Sequence, residues 1–314
     1  MHPGSPPLTR ATERVTEPTP APTRSAASAA RRATDDPNVF LIPETELPPG
    51  FVDRVAGGGL APVPPRAAAT VVLARDGAGG PEVLLLRRHG RSGFAAGAWV
   101  FPGGAVDEAD REPALAERMD GPSAEDWAGR LETDTPEEAL GYVAAALREA
   151  FEETGILLAR TPEGNPPAAE GLEVARRALL SGVVGLREVV VSRGVRLDAT
   201  GLAYVAHWIT PEPEPRRFDT RFFLARVPAD AVCTPHAEEL VDEVWLAPAE
   251  AVRRFEAGGL HLLPPTIHTL RRIAAFASVD AMLGALVAAP VPRILPVMRV
   301  RPDGVAIVLP DEAR

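Results

Sequence analysis

The segment Arg148–Leu158, "REAFEETGILL", carries Glu149, Glu152 and Glu153 at positions i, i+3 and i+4. A helix stacks carboxylates at that spacing on one face, where like charges repel and destabilise it. Two arrangements relieve the repulsion. Solvent can screen it, with Arg148 pairing with Glu152 at i, i+4, or a cation can sit among the three groups. On a helical wheel the glutamates lie roughly opposite the apolar stripe of Val143, Leu147, Ala150, Phe151 and Thr154. Periodicity alone therefore favours a solvated face. The alternative is a cation among the three groups, and hard divalent cations take oxygen ligands of this kind.

The elements that must position these groups follow from the surrounding pattern. A helix from about Pro136 to Thr154 carries the glutamates, and Gly155 stops it as a C′ residue. Upstream, "GAWVFPGGAVD" is a short apolar strand running into Gly103 and Gly104, where the missing side chains let backbone approach an ion or ligand. "AAATVVLAR" and "PEVLLLRR" read as strands joined by the turn-rich "DGAGG". Two short helices in "LEVARRALLSGVVGLREVVVSRG" precede strands in "LAYVAHWITPE", "RRFDTRFFLARVP" and "EVWLAP". Three more helices and a hairpin, "ILPVMRVRPDGVAIVLP", complete the chain, with the turn at Pro302-Asp303-Gly304. Strands and helices in this mixed order imply an α+β fold, a mixed β-sheet covered by helices.

Composition narrows the function. The 314 residues carry a formal net charge of -10, which argues against a general nucleic-acid-binding surface. All 33 basic residues are Arg, so arginines in bulk are not read as functional. One cysteine, Cys233, rules out a disulfide within the chain and fits a reducing compartment. It reads as a buried small residue. No apolar run approaches the ~20 residues needed to cross a bilayer, and the cytoplasm is the default location. Met1 to about Pro37 is rich in Pro, Ala, Thr, Ser and Arg and reads as a disordered tail with no secretory h-region. The histidines show no metal-ligand spacing, and "GRSGFAAG" contains no nucleophile elbow.

"WVFPGG" followed by Arg-Glu-x-x-Glu-Glu-x-Gly resembles the Nudix box, whose second half matches here as Arg148, Glu149, Ala150, Glu152, Glu153, Gly155 and Ile156. The opening Gly of the box matches Gly104. Gly104 and Arg148 stand 44 positions apart, about thirty more than the family pattern sets. The first acid of the box therefore has three candidates: Asp110, Glu137 and Glu138. In the family that residue supports the loop and pairs with the box Arg. An insertion at this point resembles the coenzyme A and acyl-coenzyme A diphosphatase branch. "VFPGGAVDEAD", "RRFDTRFFL", "LLPPTIHTLRRIAAFAS" and "DGVAIVLPDE" extend that likeness from about Ala67 onward. Of the extra signature of the better-known bacterial coenzyme A hydrolases, Gly97 and "FPGG" match, while Gly93 replaces the expected Arg, with Arg91 nearby.

The resemblance implies a Nudix fold, with the mixed sheet sandwiched between helices and a C-terminal helical and hairpin extension. After the tail (1–37) and an arm (38–66) read as lying on the domain, it divides the chain into a Nudix domain (67–250, insertion about 107–137) and a C-terminal part (251–314) packed on that domain. It also implies Mg²⁺ or Mn²⁺ held by Glu152, Glu153 and the Gly103 carbonyl, with Glu149 either a ligand or the base that activates water. A further ligand is expected among Glu238, Glu239, Asp242 and Glu243, with Glu239 preferred for its spacing from Trp245. Arg88, Arg216 and Arg217 are candidates to grip phosphates beside Gly104, since guanidinium forks match phosphate oxygens; Arg87 and Arg91 are further ones. The implied substrate is a small nucleoside diphosphate compound, first coenzyme A or an acyl-coenzyme A, giving 4′-phosphopantetheine and adenosine 3′,5′-bisphosphate. ADP-ribose, NADH or a nucleotide is the alternative, as is a non-catalytic nucleotide-binding regulator. A homodimer is compatible with the sequence.

Overall fold

The computed structural model describes residues 32–33, 36–57, 61–90, 96–236 and 240–310. Most of the expected tail lies outside them. The first elements are β1 (Arg32–Ala33), β2 (Val39–Pro43), α1 (Phe51–Gly57), β3 (Arg66–Gly77), β4 (Gly80–Arg88), β5 (Trp99–Val100) and β6 (Gly103–Ala105). The inserted segment holds a 3-10 turn at Ala109–Arg111, α2 (Pro113–Ala116), β7 (Met119–Asp120) and α3 (Ala124–Leu131). Then come α4 (Pro136–Thr154), β8 (Ala159–Arg160), α5 (Leu172–Leu180), α6 (Leu186–Ser192), β9 (Arg196–Asp198), β10 (Ala203–Ile209), β11 (Phe218–Arg226) and β12 (Leu240–Leu246). The chain continues through α7 (Pro248–Glu256), α8 (Pro264–Ile273), α9 (Val279–Leu286), β13 (Arg293–Ile294), β14 (Val297–Arg301) and β15 (Gly304–Val308). Among the described residues no helix is long and apolar enough to cross a membrane.

The main sheet runs β12-β4-β3-β11-β10-β13, with β5 on β4 and β6 on β3. β11 is parallel to β3, and β13 to β10; the other pairs are antiparallel. Alternation along the strands fills both faces. Val71, Leu73, Leu84 and Leu86 pack with Val143, Leu147 and Phe151 of α4 on one side. Val72, Val83 and Leu85 pack with Ile267 and Leu270 of α8 and Met282 of α9 on the other. The expected mixed sheet between helices is thus present.

β3 and β4 pair only from Ala74↔Val83 to Gly77↔Gly80. Beyond that point β3 takes β6, and β4 takes β5. The sheet splits there, and the chain crosses the split at Pro102, whose carbonyl accepts from the Val71 N–H at 2.9 Å.

α4 has the expected bounds, and its N-cap is Thr135. Thr135 Oγ1 accepts from the Glu138 N–H at 3.1 Å, Pro136 opens the first turn, and Gly155 ends the helix at φ 76°. Its surroundings depart from the wheel. Arg148 and Glu149 are only 8% and 9% exposed, because β6 and the 3-10 turn at Ala109–Arg111 lie over the face that periodicity gives to solvent. α3 covers another flank with Trp127 and Leu131, and Arg221 of β11 latches that helix by donating to the Leu131 carbonyl at 3.1 Å. His207 and Asp219 bond the same guanidinium. In the arm, β2 is an inner strand of a separate sheet, β1-β2-β15-β14, paired antiparallel with β15 of the C-terminal hairpin, while its Phe40 and Ile42 share an apolar cluster with Val72 and Leu85 of the main sheet.

Candidate active site

The last turns of α4 point into the split in the sheet. Glu153 Oε2 accepts from the Gly103 N–H at 3.1 Å. A Cβ on Gly104 would overlap Glu149 Oε1, and one on Gly103 would overlap the Ala69 carbonyl of β3. Only glycines let β6 lie between β3 and these carboxylates. Glu149 and Glu153 therefore meet the glycine pair, as the spacing requires.

Arg148 is the hub of the cluster. Its Nε and Nη2 grip Asp110 Oδ1 and Oδ2 at 3.0 and 2.9 Å, a two-bond fork. Nη1 donates to Glu149 Oε1 and Glu152 Oε2, both at 2.8 Å, and Nη2 donates to the Ala105 carbonyl at 2.8 Å. Of the three candidates for the first acid of the box, Asp110 is thus the one paired with Arg148. Glu137 is exposed, and Glu138 accepts from the Asp134 N–H at the start of α4.

Burial dominates the electrostatics. It pushes the Glu149 carboxyl up to about 7, an effect that Arg148 offsets in part and Glu152 reinforces. Burial raises Glu152 as well, again against Arg148. Burial acts to lower the Arg148 guanidinium, but Asp110, Glu149 and Glu152 more than offset it and hold it above its ordinary range.

The donor set is all carboxylate and backbone oxygen, which fits a hard divalent cation in ligand type. Among the described residues, however, no three acidic, His or Cys side chains form a ready cage. Arg148 Nη1 lies between Glu149 and Glu152, and Glu153 is turned to the Gly103 amide. Arg148 Nη1 takes one oxygen each from Glu149 and Glu152, and each carboxylate has a second oxygen to offer an ion.

A cavity of about 160 Å³ opens beside Glu153 and Gly103, walled by Thr70, Arg88, Phe101 and Thr220. Arg88 thus stands next to the carboxylates, and its buried Nε has no hydrogen-bond partner among the described residues. Arg216 and Arg217 do not line this cavity. Arg216 is exposed, whereas Arg217 is buried and donates to the Thr210 and Val63 carbonyls at 3.0 and 2.9 Å. Arg87 pairs with Asp242 at 3.3 Å. Glu238 and Glu239 lie outside the described residues, as do Arg91 and Gly93; the neighbouring Leu240 lines the cavity. Cys233 is buried, and burial pushes its thiol up to about 12.

Sequence reasoning missed Arg176 of α5, which is 3% exposed and donates Nε and Nη2 to the Glu152 carbonyl at 2.9 and 2.7 Å. In a chain whose basic residues are all Arg, no local signal separates it from the exposed Arg177.

The family model described as the NUDT19 Nudix domain matches residues 122–273. Human acyl-coenzyme A diphosphatase NUDT19 is 32% identical over 271 residues, covering 74% of this chain and 72% of the relative. The protein of that name from Gallus gallus is 32% identical over 266 residues, covering 68% and 69%. Among solved structures, a NUDIX hydrolase from Alicyclobacillus acidocaldarius superposes with a TM-score of 0.61 at 32% identity, covering 73% of this chain and 99% of that one. Identity of this degree over most of both chains, on a site built from the box residues, places the chain in the NUDT19 family of Nudix hydrolases, as a pyrophosphohydrolase.

Proposed function

We propose that the protein hydrolyses the diphosphate linkage of coenzyme A or an acyl-coenzyme A, releasing 4′-phosphopantetheine, bare or acylated, and adenosine 3′,5′-bisphosphate. The observation that carries this reading is the convergence of Glu149 and Glu153 on the Gly103–Gly104 bend, in a chain whose curated relatives are named acyl-coenzyme A diphosphatases. Mg²⁺ or Mn²⁺ would be held by Glu152, Glu153 and the Gly103 carbonyl, with Glu239 a further ligand and Glu149 either another ligand or the base that activates water. When bound, such an ion neutralises the diphosphate oxygens and makes a bound water acidic enough to attack.

The protein's own groups divide the remaining work. Glu149, pushed to about 7, can hold or release a proton near neutrality and is the candidate base. Arg148 orients Glu149 and Glu152, while Asp110 fixes Arg148. Arg88 offers its Nε to a phosphate oxygen at the cavity wall. The bare Gly104 lets the Glu149 carboxylate reach the bend where the substrate phosphates would sit. Arg216 is a second anion contact from the exposed approach to β11. Arg217 has its guanidinium committed to backbone and contributes to that approach only indirectly.

Incubating the protein and Mg²⁺ separately with coenzyme A, an acyl-coenzyme A, ADP-ribose, NADH and nucleoside triphosphates tests the substrate. Chromatography should show adenosine 3′,5′-bisphosphate from the first two, with kcat/KM at least about tenfold above the others, a discrimination of about 1.4 kcal/mol. A rival turned over far faster would overturn the substrate reading, and no turnover of any would favour a regulator.

Proton linkage supplies a further prediction. A ligand carboxylate must be ionised to bind metal, and Glu149 titrates near 7 in the metal-free protein. Mn²⁺ affinity is therefore constant well above that pH and weakens below it, approaching tenfold per pH unit for one displaced proton. Calorimetric titrations between pH 5.5 and 8.5 should show this slope, and Glu149→Gln should flatten it. A pH-independent affinity in the unsubstituted protein would remove Glu149 from the ligand set.

A further inference from the structure

A helix ends with four carbonyls that have no partner inside it. In α4 these belong to Phe151, Glu152, Glu153 and Thr154, the residues that carry and flank the carboxylate cluster. Three are satisfied by backbone: Gly155 N–H donates to Phe151 at 2.9 Å, His236 N–H to Glu153 at 3.1 Å, and Thr234 N–H to Thr154 at 2.8 Å. The fourth, on Glu152, takes two bonds from one buried side chain, the Nε and Nη2 of Arg176. Arg176 comes from α5, outside the box, and among the described residues its one carboxylate within ion-pair reach is Glu173, at 3.6 Å from Nη1.

Burying a guanidinium is costly unless its surroundings offset the lost hydration. Here they consist of a carbonyl accepting two bonds and the negative end of a five-turn helix, where a cation is stabilised. The placement is selective. Arg176 holds the peptide that joins Glu152 to Glu153, the two neighbouring carboxylates that must aim at one point. It also packs beneath the C-terminal bend, since a Cβ on Gly155 would lie 3.4 Å from its Nη1.

We propose that Arg176 is a positioning residue for the cation site, locking the last turn of α4 so that Glu152 and Glu153 present their oxygens in fixed directions. This rests on the metal-dependent reading above. It goes beyond it by assigning a function to a side chain that touches neither ion nor substrate. Groups that orient ligands in this way typically change metal affinity by about 10- to 100-fold when removed. A merely structural Arg176, clamping α5 to α4, would lower stability and leave metal affinity alone.

The test compares Arg176→Met, Arg176→Lys and Leu179→Ala in the full chain. Leu179 is a buried apolar neighbour on α5 with no bond to α4's end. Mn²⁺ dissociation constants from electron paramagnetic resonance are read beside melting temperature, kcat and KM. Arg176→Met should raise the Mn²⁺ dissociation constant about tenfold or more, with KM for the diphosphate at saturating Mn²⁺ near its original value. Arg176→Lys, whose ammonium can make one bond to the Glu152 carbonyl, should recover most of that loss. Leu179→Ala should lower the melting temperature without moving the Mn²⁺ constant. If Arg176→Met does not fold, the Lys variant decides: a Mn²⁺ constant raised only a few-fold supports positioning. An unchanged Mn²⁺ constant in the folded variant with the greatest loss at position 176, or an equal rise in Leu179→Ala, overturns the proposal while leaving the metal-dependent reading intact. Failure of the unsubstituted protein to bind Mn²⁺ would overturn that reading itself.

Discussion

Glu153→Gln should lower kcat by about a thousandfold or more, the equivalent of about 4 kcal/mol of transition-state stabilisation, while the protein melts within a few degrees of the original. The geometry separates the two effects. Glu153 Oε2 accepts from the Gly103 N–H, and a carboxamide oxygen can accept the same bond, so the glycine bend keeps its support. What the substitution removes is a negative charge and an anionic oxygen, which a hard cation requires. Glu153→Ala would be a poorer test, because it also strips the Gly103 amide of this acceptor. The measurements are steady-state turnover across a Mg²⁺ series and a thermal melt. Undiminished turnover at saturating Mg²⁺ would rule out metal catalysis by this box.

The second large effect concerns stability. Arg148→Met should destabilise the fold by about 3–5 kcal/mol, because it leaves Asp110 and two glutamates without their shared cation. The Asp110 side chain is only 2% exposed and both its oxygens bond Arg148. A buried carboxylate without a partner has a raised pKa, so it is taken up protonated by the folded state. The stability lost at neutral pH is therefore regained as pH falls, and lost again as pH rises through that raised value. Urea melts at pH 7.5 and 5.5 should show a smaller deficit at the lower pH. The double variant Arg148→Met/Asp110→Asn should cost less than the sum of its parts, as expected for groups in one network. Additive costs would mean that the fork contributes no coupling.

Much of this site is written locally. Thr135-Pro136 and Gly155 bound α4, and the alternation in β3 and β4 places Val71 and Val72 on opposite faces. The i, i+3, i+4 acids meet the glycine pair because one helix turn and one strand end suffice to bring them there. Legibility fails where contacts are long-range. Asp110, Glu137 and Glu138 were indistinguishable because the insertion breaks the spacing that would rank them; only the fold over α4 brings Asp110 to Arg148. Periodicity put Glu149 in solvent because it cannot foresee that β6 and the inserted turn cover that face. Among the phosphate candidates, Arg88 and Arg217 look alike in sequence. One has an Nε at a cavity wall with no partner among the described residues, and the other is bound to carbonyls 7 and 154 positions away.

The pairing of β2 with β15 carries a consequence for biosynthesis. Val39 meets Val308, and Pro43 meets Gly304. On the ribosome, residues 39–43 emerge early with only the two-residue β1 to pair with, and lack β15 until residue 308 has left the exit tunnel. The main sheet needs only residues up to 294 and can assemble first. Closure of the small sheet is then the final step of maturation, slow because its contacts are so distant in sequence. Nascent chains stalled short of residue 304 should expose Phe40 and Ile42 to chaperones, and chains released beyond residue 310 should bury them.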